Sequence, residues 1–446
     1  MGSITFIQEK NSVYVADFQK ISYYPSCFKY GRGALLYDYN GKEYIDFLSS
    51  ASSANVGHGN EEIANAVFTQ MKKIAQYTSL YFPMPEGEAL AKKLINLLRY
   101  KNMQVAYSNS GSAAIDCAIK LARAYTKRNK IISFKGAYHG STYGASSISA
   151  ISPNMKKNIG VLVPEIYHII YPYCFRCNYC KKDNNCNKYY CLKELTEALE
   201  QYIPPSEVAA VFIEPIAGDM GIVVPPTEYL QKLQELCNKH NILLVVDEIQ
   251  QAMCRTGKWF SFEHFGIRPD IIVLGKTVGA GLPLGVTIAR REIMNSLSAP
   301  AHVFTMSGNS TVCAAAIKQL EIFEREKMNV KVKEKGLYLK EKLQLLMSKY
   351  DIVGEIRGIG LSLGVEIVSN KKDKTKNKLA AAKISYNCIE NGLLLTFLGE
   401  NVLRIQPPLV ITEEQIDKAV KIMDNSFEGY LNGEISDEVL KYAKGW

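Results

Sequence analysis

Three short apolar runs, each rich in β-branched residues, end abruptly in polar side chains. They cover residues 208–213, 242–246 and 271–274, and they are followed by Glu214, by Asp247 and, after one glycine, by Lys276. Continuous apolar runs of this length are typical of strands that are buried on both faces. An amphipathic helix pattern over 227–240 separates the first two runs, and this alternation predicts a parallel, doubly wound sheet. Because parallel strands end at one edge of a sheet, we expect the three polar side chains to share a site there.

Lys276 and Asp247 supply the two groups that pyridoxal phosphate (PLP) most needs from a protein. An amine forms a Schiff base with its aldehyde, and a carboxylate holds its pyridinium nitrogen. The small-residue turn at 108–112 lies between a predicted strand at 104–107 and a predicted helix at 113–125. Such a turn is typical of a phosphate cradle, although many strand-to-helix turns of this kind bind nothing.

Two further segments fit a binding pocket. Tyr138 and His139 follow a predicted strand at 130–134, where an aromatic ring could stack on a flat cofactor. The loop at 49–58 consists mainly of small polar residues and is a candidate pocket wall. The alternatives are a core tyrosine with a core histidine, and a plain connector.

The length and the charge restrict the class of protein. A chain of 446 residues predicts two or more domains. The net charge of +9 is spread along the chain without a dense basic block, which argues against a nucleic-acid partner. We expect no membrane span and no signal peptide, because no apolar run is long enough. Most of the 11 cysteines are scattered, which favours a reducing, cytoplasmic location.

Five cysteines are concentrated between residues 174 and 191. They are Cys174, Cys177, Cys180, Cys186 and Cys191. Thiolates spaced this closely are typical of zinc or iron–sulfur ligation, so the segment is a candidate metal site. The alternatives are a loop of reduced thiols and disulfides, and a reducing compartment disfavours disulfides.

Six short motifs occur along the chain in the order found in a known family. They are Asn109-Ser110-Gly111-Ser112, Tyr138-His139-Gly140, Glu214-Pro215, Asp247-Glu248-Ile249-Gln250, Arg255-Thr256-Gly257 and Leu274-Gly275-Lys276. The set resembles the class III (ω-) aminotransferases, which are PLP enzymes of fold type I, over nearly the whole chain. The resemblance implies an α/β large domain, with a mostly parallel, doubly wound seven-stranded sheet, and a smaller α+β domain. We expect the large domain at 61–325, with a cysteine-rich insertion at 174–191, and the small domain to combine 1–60 with 326–446.

The resemblance also implies a role for each site residue. Lys276 would hold the cofactor and act as the base at Cα, and Asp247 would keep the pyridinium nitrogen protonated. Tyr138 would stack on the ring, with Gln250 near its 3′-oxygen. The other expected cofactor contacts are Ser110, Gly111, Ser112, His139 and Glu214.

The resemblance extends to the partner subunit and to the substrate. Thr305 of the partner subunit would reach the phosphate, so a homodimer or a dimer of dimers is implied. Arg404 would receive the substrate carboxylate, since a planar and always-charged fork suits that role. A structural ion pair is the alternative for Arg404. Ala51, Tyr77 and Ser141 are the remaining candidate substrate contacts.

Two departures from the aminotransferase pattern favour one branch of the family. Asp219 stands where 4-aminobutyrate and ornithine aminotransferases are expected to have a glutamate. Ser141 stands where the 4-aminobutyrate enzyme has the arginine that grips a distal carboxylate. The segments at 138–144, 218–219 and 403–411 are more similar to those of isoleucine 2-epimerases.

The sequence thus favours one activity and leaves another open. The favoured activity is racemisation or 2-epimerisation of a neutral amino acid, with Lys276 serving one face of Cα and Asp219 the other. The alternative is an aminotransferase of the 4-aminobutyrate or ω-amino acid type, with 2-oxoglutarate or pyruvate as acceptor. A PLP-binding or metal-sensing protein without turnover is disfavoured, because it would leave a complete cofactor site idle.

Overall fold

The computed structural model describes residues 14–21, 23–177 and 189–445. The chain divides into two compact units, one combining Met1–Asn60 with Lys331–Trp446 and the other formed by Glu61–Val330. Within the described ranges, none of the helices combines the length and the apolar character that a bilayer crossing requires.

The first unit begins with three short antiparallel strands. They are β1 (Phe28–Arg32), β2 (Leu35–Asp38) and β3 (Glu43–Asp46). A tight turn through Gly41, whose φ is +83°, joins β2 to β3. Asp38 stabilises this turn, because its Oδ1 accepts hydrogen bonds from the N–H groups of Asn40 and Lys42 at 2.8 and 3.0 Å.

The unit Glu61–Val330 is built on a seven-stranded sheet. Its strands are β4 (Met103–Ser108), β5 (Lys130–Phe134), β6 (Ile166–Ile169), β7 (Val208–Ile213), β8 (Leu243–Asp247), β9 (Ile271–Leu274) and β10 (Gly285–Arg290). Their order is β4-β10-β9-β8-β7-β5-β6, and only β10 runs antiparallel to its neighbours. The predicted α/β class with a mostly parallel sheet is confirmed.

The same unit contains several helices, some of which pack against this sheet. They are α1 (Glu61–Lys73), α2 (Pro85–Leu98), α3 (Gly111–Thr126), α4 (Tyr143–Ile148), α5 (Tyr190–Gln201), α6 (Thr227–Lys239), α7 (Arg291–Met294) and α8 (Ser310–Arg325). Helix α3 packs across β4, β10, β9, β8 and β7. Its buried face includes Ile115, Ile119 and Leu121, and each such side chain contributes about 1.5–3 kcal/mol when fully buried.

The remaining elements follow α8, and apart from the first three residues of α9 they belong to the first unit. Its helices are α9 (Met328–Lys349), α10 (Lys378–Glu390) and α11 (Glu413–Leu431), and its strands are β11 (Val353–Ile359), β12 (Ser362–Ile367), β13 (Leu393–Leu394), β14 (Thr396–Leu398) and β15 (Val402–Ile405). The antiparallel sheet β11-β12-β15-β14 is separate from β1-β2-β3-β13, in which β13 pairs with β3 in parallel. Helix α11 starts at a capping box formed by Thr412 and Gln415.

Strand β10 passes very close to the loop that precedes α3. A Cβ atom at Gly285 would lie 2.0 Å from the carbonyl oxygen of Ser110, so we expect Gly285→Ala to destabilise the protein by about 1–3 kcal/mol. In the control Gly87→Ala on α2, the nearest atom is 3.7 Å from the added Cβ. This variant should be neutral or up to about 1 kcal/mol more stable, since alanine favours helices. Urea unfolding measures both, and equal midpoints would contradict the steric argument.

Candidate active site

A pocket of about 140 Å³ lies where β7, β8 and β9 end and α3 begins. The residues that line it are Gly111, Ser112, Tyr138, His139, Gly140, Glu214, Asp219, Asp247, Ile249, Gln250 and Lys276. The polar residues that follow the three central strands therefore meet in one place. The catalytic candidates Lys276, Asp247 and Asp219 all belong to this lining.

Asp247 is the last residue of β8 and is buried. Its Oδ2 lies 2.7 Å from Nδ1 of His139, and its Oδ1 accepts the N–H of Ile249 at 2.9 Å. His139 is also buried, and its Nε2 lies 3.3 Å from the hydroxyl of Ser133, which donates to the carbonyl oxygen of Ile148 at 2.7 Å. Since both carboxyl oxygens of Asp247 have hydrogen-bond partners, this network fixes the orientation of its side chain.

Lys276 follows β9 in a strained conformation. Its φ is +46°, in the left-handed region that costs a residue with a side chain roughly 1–2 kcal/mol. A Cβ at the preceding Gly275 would lie 3.0 Å from Cα of Gly111, so this backbone passes close to the start of α3. On the other side, Gln319 of α8 donates to the carbonyl oxygen of Thr277 at 2.6 Å. Such strain is retained where surrounding contacts hold it, and it clusters at functional sites.

The amino end of α3 forms the floor of the pocket. A Cβ at Gly111 would lie 2.8 Å from Cδ1 of Ile249, so only glycine lets the two segments approach this closely. The hydroxyl of Ser112 accepts the N–H of Ser141 at 3.1 Å. A Cβ at Gly140 would lie 2.1 Å from the same hydroxyl oxygen. A helix amino end presented without bulky side chains is suited to a phosphate.

Tyr138, Glu214 and Asp219 form another part of the lining. The N–H of Tyr138 donates to Oε1 of Glu214 at 3.1 Å, and the N–H of Gly218 donates to Oε2 at 2.7 Å. Burial raises the pKa of Glu214 to about 7. Gln250 donates to Oδ1 of Asp219 at 3.4 Å.

These residues fit PLP. Lys276 offers the amine, Asp247 offers an oriented carboxylate, and Tyr138 offers an aromatic face. Gly111 and Ser112 offer the helix amino end for the phosphate. The four groups converge on one pocket, as the chemistry of the cofactor requires.

Other predicted cofactor and substrate residues lie outside this lining. Ser110 caps α3, with its hydroxyl accepting the N–H of Ala113 at 3.2 Å. The carbonyl oxygen of Thr305 accepts a hydrogen bond from Gln76 at 2.8 Å, next to the exposed Tyr77. Ser141 lies 3.3 Å from the Tyr138 hydroxyl. The roles assigned to these residues stay predictions.

Two substrate candidates belong to the other unit. Arg404 is buried on β15, opposite Gly364 and Thr396 of the neighbouring strands. Ala51 lies in the turn Ser49–Ser52, where four consecutive residues have φ between +48° and +67°. Their roles in substrate binding also stay predictions.

Gly140 and Ile249 line the pocket but were not predicted as site residues. Both lie inside the motifs that carry the family resemblance, at Tyr138-His139-Gly140 and at Asp247-Glu248-Ile249-Gln250. Gly111 and Gly275 both lie close to Ile249. These two glycines were the sequence signal that could have pointed to Ile249, because a glycine can mark a place where a bulky neighbour comes close to the backbone.

The cysteine-rich stretch gains no support as a metal site. Cys174, Cys177 and Cys191 are half-buried. Among the residues that the structure describes, no group of three or more His, Cys, Asp or Glu side chains could hold a metal ion. Cys180 and Cys186 lie outside the described residues, so zinc or iron–sulfur ligation by all five stays a prediction that metal analysis of the purified protein can decide.

Comparison with known proteins agrees with this geometry. The sequence profile described as aminotransferase class-III matches residues 19–427. The chain is 38% identical to the leucine/methionine racemase of Thermococcus litoralis, over 96% of each chain. It is also 38% identical to the isoleucine 2-epimerase of Lentilactobacillus buchneri, over 99% of this chain and 98% of the relative. A crystal structure of a transaminase from Virgibacillus matches with a TM-score of 0.88 at 28% identity, covering 97% of this chain and 100% of that one.

The role of Lys276 can be tested by removing its amine. We expect Lys276→Ala to lose the yellow colour of the purified holoprotein and to lower turnover by at least about 10²- to 10⁴-fold, because the predicted Cα base is gone. Circular dichroism should show an intact fold. The control Lys135→Ala removes an exposed lysine of the same unit and should stay yellow and active. A colourless control, or a fully active Lys276→Ala, would show that the base is misassigned.

Proposed function

The chain belongs to the class III aminotransferase family of PLP-dependent enzymes, and we propose that it is a racemase or 2-epimerase of free amino acids with neutral side chains. The observation that carries the proposal is that two groups able to move a proton, Lys276 and Asp219, line one pocket. The racemase and the epimerase among its relatives support the same activity.

Bound PLP supplies an electron sink that makes the α-proton of an attached amino acid removable. The amine of Lys276 takes that proton on one face of Cα. The carboxyl group of Asp219, which accepts a hydrogen bond from Gln250, delivers a proton to the other face, directly or through a water molecule. One proton leaves Cα and one arrives, so the product is the opposite configuration at Cα and no acceptor molecule is consumed.

The preference for neutral side chains rests on Ser141. It hydrogen-bonds through its backbone N–H to Ser112 and lies beside Tyr138, and it carries no charge for a second carboxylate. We propose that Arg404 binds the single carboxylate at Cα. Ala51, Tyr77 and Ser141 would then contact the substrate side chain.

An aminotransferase using 2-oxoglutarate or pyruvate is the alternative. The likeness to the Virgibacillus transaminase supports it. Both activities would use the same cofactor residues, so those residues do not separate them. In transamination Lys276 would both remove and return the proton, so no acid on a second face of Cα would be needed. The role of Asp219 therefore separates the two activities.

We also propose a homodimer or a dimer of dimers in which Thr305 of the partner subunit reaches the phosphate. The segments 68–82 and 303–306 expose several large apolar side chains, namely Phe68, Met71, Ile74, Tyr77, Leu80, Tyr81, Phe82, Val303 and Met306. A hydrogen bond from Gln76 to the Thr305 carbonyl oxygen connects the two segments. Exposed apolar side chains concentrated in this way support a protein–protein interface.

A cytoplasmic location completes the proposal. Cys117, Cys237, Cys254, Cys313 and Cys388 are buried thiols that form no disulfide. Cysteines left unpaired in this way are typical of proteins kept in a reducing compartment.

The proposed activity is tested by incubating the enzyme with one L-amino acid in D₂O without any keto acid. We expect the D-isomer to form and to carry deuterium at Cα, and a panel of amino acids analysed by chiral chromatography gives the side-chain preference. If deuterium and the D-isomer are both absent, and turnover starts only when a keto acid is added, the protein is an aminotransferase.

Asp219→Asn tests the second face. We expect interconversion of the two isomers to fall by about 10²-fold or more, because an amide cannot exchange a proton as a carboxyl group does. PLP binding, followed by its absorption, should change little. The control Asp219→Glu keeps an acid and should retain more interconversion than the amide variant. Equal losses of cofactor binding and of interconversion would contradict a role in proton delivery.

A further inference from the structure

One buried carboxylate connects two segments of the pocket that are distant in sequence. Glu214 follows β7 and receives the N–H of Tyr138 on Oε1 and the N–H of Gly218 on Oε2. The first segment carries the aromatic ring and the second carries Asp219. Glu214 thus holds both segments without using its carboxylate for any other hydrogen bond that the structure describes.

The anchor at Gly218 restricts the position of Asp219. A Cβ at Gly218 would lie 2.1 Å from Oε1 of Gln250, so this backbone is pressed against the side chain that also donates to Asp219. With Glu214 holding the preceding N–H and Gln250 bonding the carboxylate, Asp219 has little freedom to move. A group that must reach one face of Cα needs such support, since errors of about 1 Å can cost two orders of magnitude in rate.

We propose that Glu214 is a positioning residue for proton delivery, which holds the carboxyl group of Asp219 and the ring of Tyr138 in fixed relation through its two oxygens. This inference rests on the proposed racemase function and deepens it. An ionised carboxylate suits the task because both of its oxygens only accept hydrogen bonds, whereas an amide offers one acceptor and one donor. Glutamine at this position would therefore direct an NH₂ group at one of the two backbone N–H groups.

Burial of Glu214 makes this anchor sensitive to pH near neutrality. Burial and the nearby carboxylates of Asp247 and Asp219 raise its pKa to about 7, while His139 opposes that rise. The buried hydroxyl of Tyr171 also faces this segment and donates to the Glu214 carbonyl oxygen at 2.9 Å. As the pH falls below about 7, the carboxylate gains a proton and loses acceptor strength, so we expect Asp219 to be held less firmly.

Glu248 offers a matched control. It is also a buried glutamate that follows a central strand, and it accepts the N–H groups of Ser261 and Phe262 at 3.0 and 2.7 Å. Burial raises its pKa to about 7 as well. It does not line the pocket, and the segment that it anchors, 261–262, carries no proposed site residue.

The test compares Glu214→Gln with Glu248→Gln as holoenzymes in D₂O, starting from each isomer of one amino acid separately. Two rates are measured, namely interconversion of the isomers and deuterium entry into the isomer supplied. Exchange with retained configuration needs only the group on the face that carries the α-proton, which is Lys276 for one isomer and Asp219 for the other, whereas interconversion needs both groups. For the isomer whose α-proton faces Lys276, we expect Glu214→Gln to lower the ratio of interconversion to exchange at least tenfold, and Glu248→Gln to keep the wild-type ratio whatever its stability.

A second readout needs no turnover. In the apoprotein, peptides spanning 137–140 and 217–221 should exchange their amide hydrogens faster in Glu214→Gln than in wild type, and those spanning 260–263 should do so in Glu248→Gln. The inference is overturned if Glu214→Gln keeps the wild-type ratio, which includes the case in which both rates fall by the same factor. It is also overturned if Glu248→Gln lowers the ratio as much as Glu214→Gln does.

If Glu214→Gln does not fold, Glu214→Asp keeps both acceptors but is shorter by one methylene, and it should lower the ratio by a smaller factor. An unchanged ratio in Glu214→Asp would then overturn the inference. If the wild-type enzyme forms no D-isomer, the proposed function fails, and the amide exchange still decides whether Glu214 anchors both segments.

Discussion

The buried hydrogen bond between His139 and Asp247 is the interaction on which the rest of the site depends. It joins the loop after β5 to the end of β8, and a second bond from the Ile249 N–H fixes the other carboxylate oxygen. A carboxylate taken out of water is costly unless such partners stabilise it. Once it is held, Asp247 can serve as the counter-charge of a cofactor whose amine partner, Lys276, lies at the end of the adjacent strand β9. Ile249 then packs against Gly111 and Gly275, which brings the amino end of α3 to the same place.

Much of this arrangement was predictable because it follows from chain periodicity. The apolar runs at 208–213 and 271–274 form β7 and β9 with the expected bounds, and Asp247 closes β8. Since parallel neighbours end at one edge, the convergence of Glu214, Asp247 and Lys276 follows once the strands are assigned.

Other features depend on tertiary contacts that periodicity does not report. Strand β10 runs antiparallel between β4 and β9. Its apolar sequence pattern does not indicate whether it runs parallel or antiparallel to its neighbours. The left-handed turn at Ser49–Ser52 is stabilised by Asp46, whose Oδ1 accepts the N–H groups of Leu48 and Ser49. The double anchor at Glu214 likewise joins residues 76 positions apart, which a single sequence does not pair.

The distinction between racemase and aminotransferase comes down to one acid in a shared cofactor site. A lysine over the cofactor serves both reactions, but only inversion at Cα needs a second proton carrier. Asp219 lies in the pocket with Lys276, hydrogen-bonded to Gln250 and next to a backbone amide that Glu214 holds. An acid placed with this much support is consistent with a working role rather than an incidental one.

We propose that the side chain of Lys276 holds the cofactor in this pocket. Borohydride reduction of the holoprotein, followed by proteolysis and mass spectrometry of the peptides, tests this role most directly. We expect a pyridoxyl phosphate adduct on the peptide that contains Lys276 and on no other lysine. An adduct on a different lysine, or none on a protein that carries the cofactor, would contradict it.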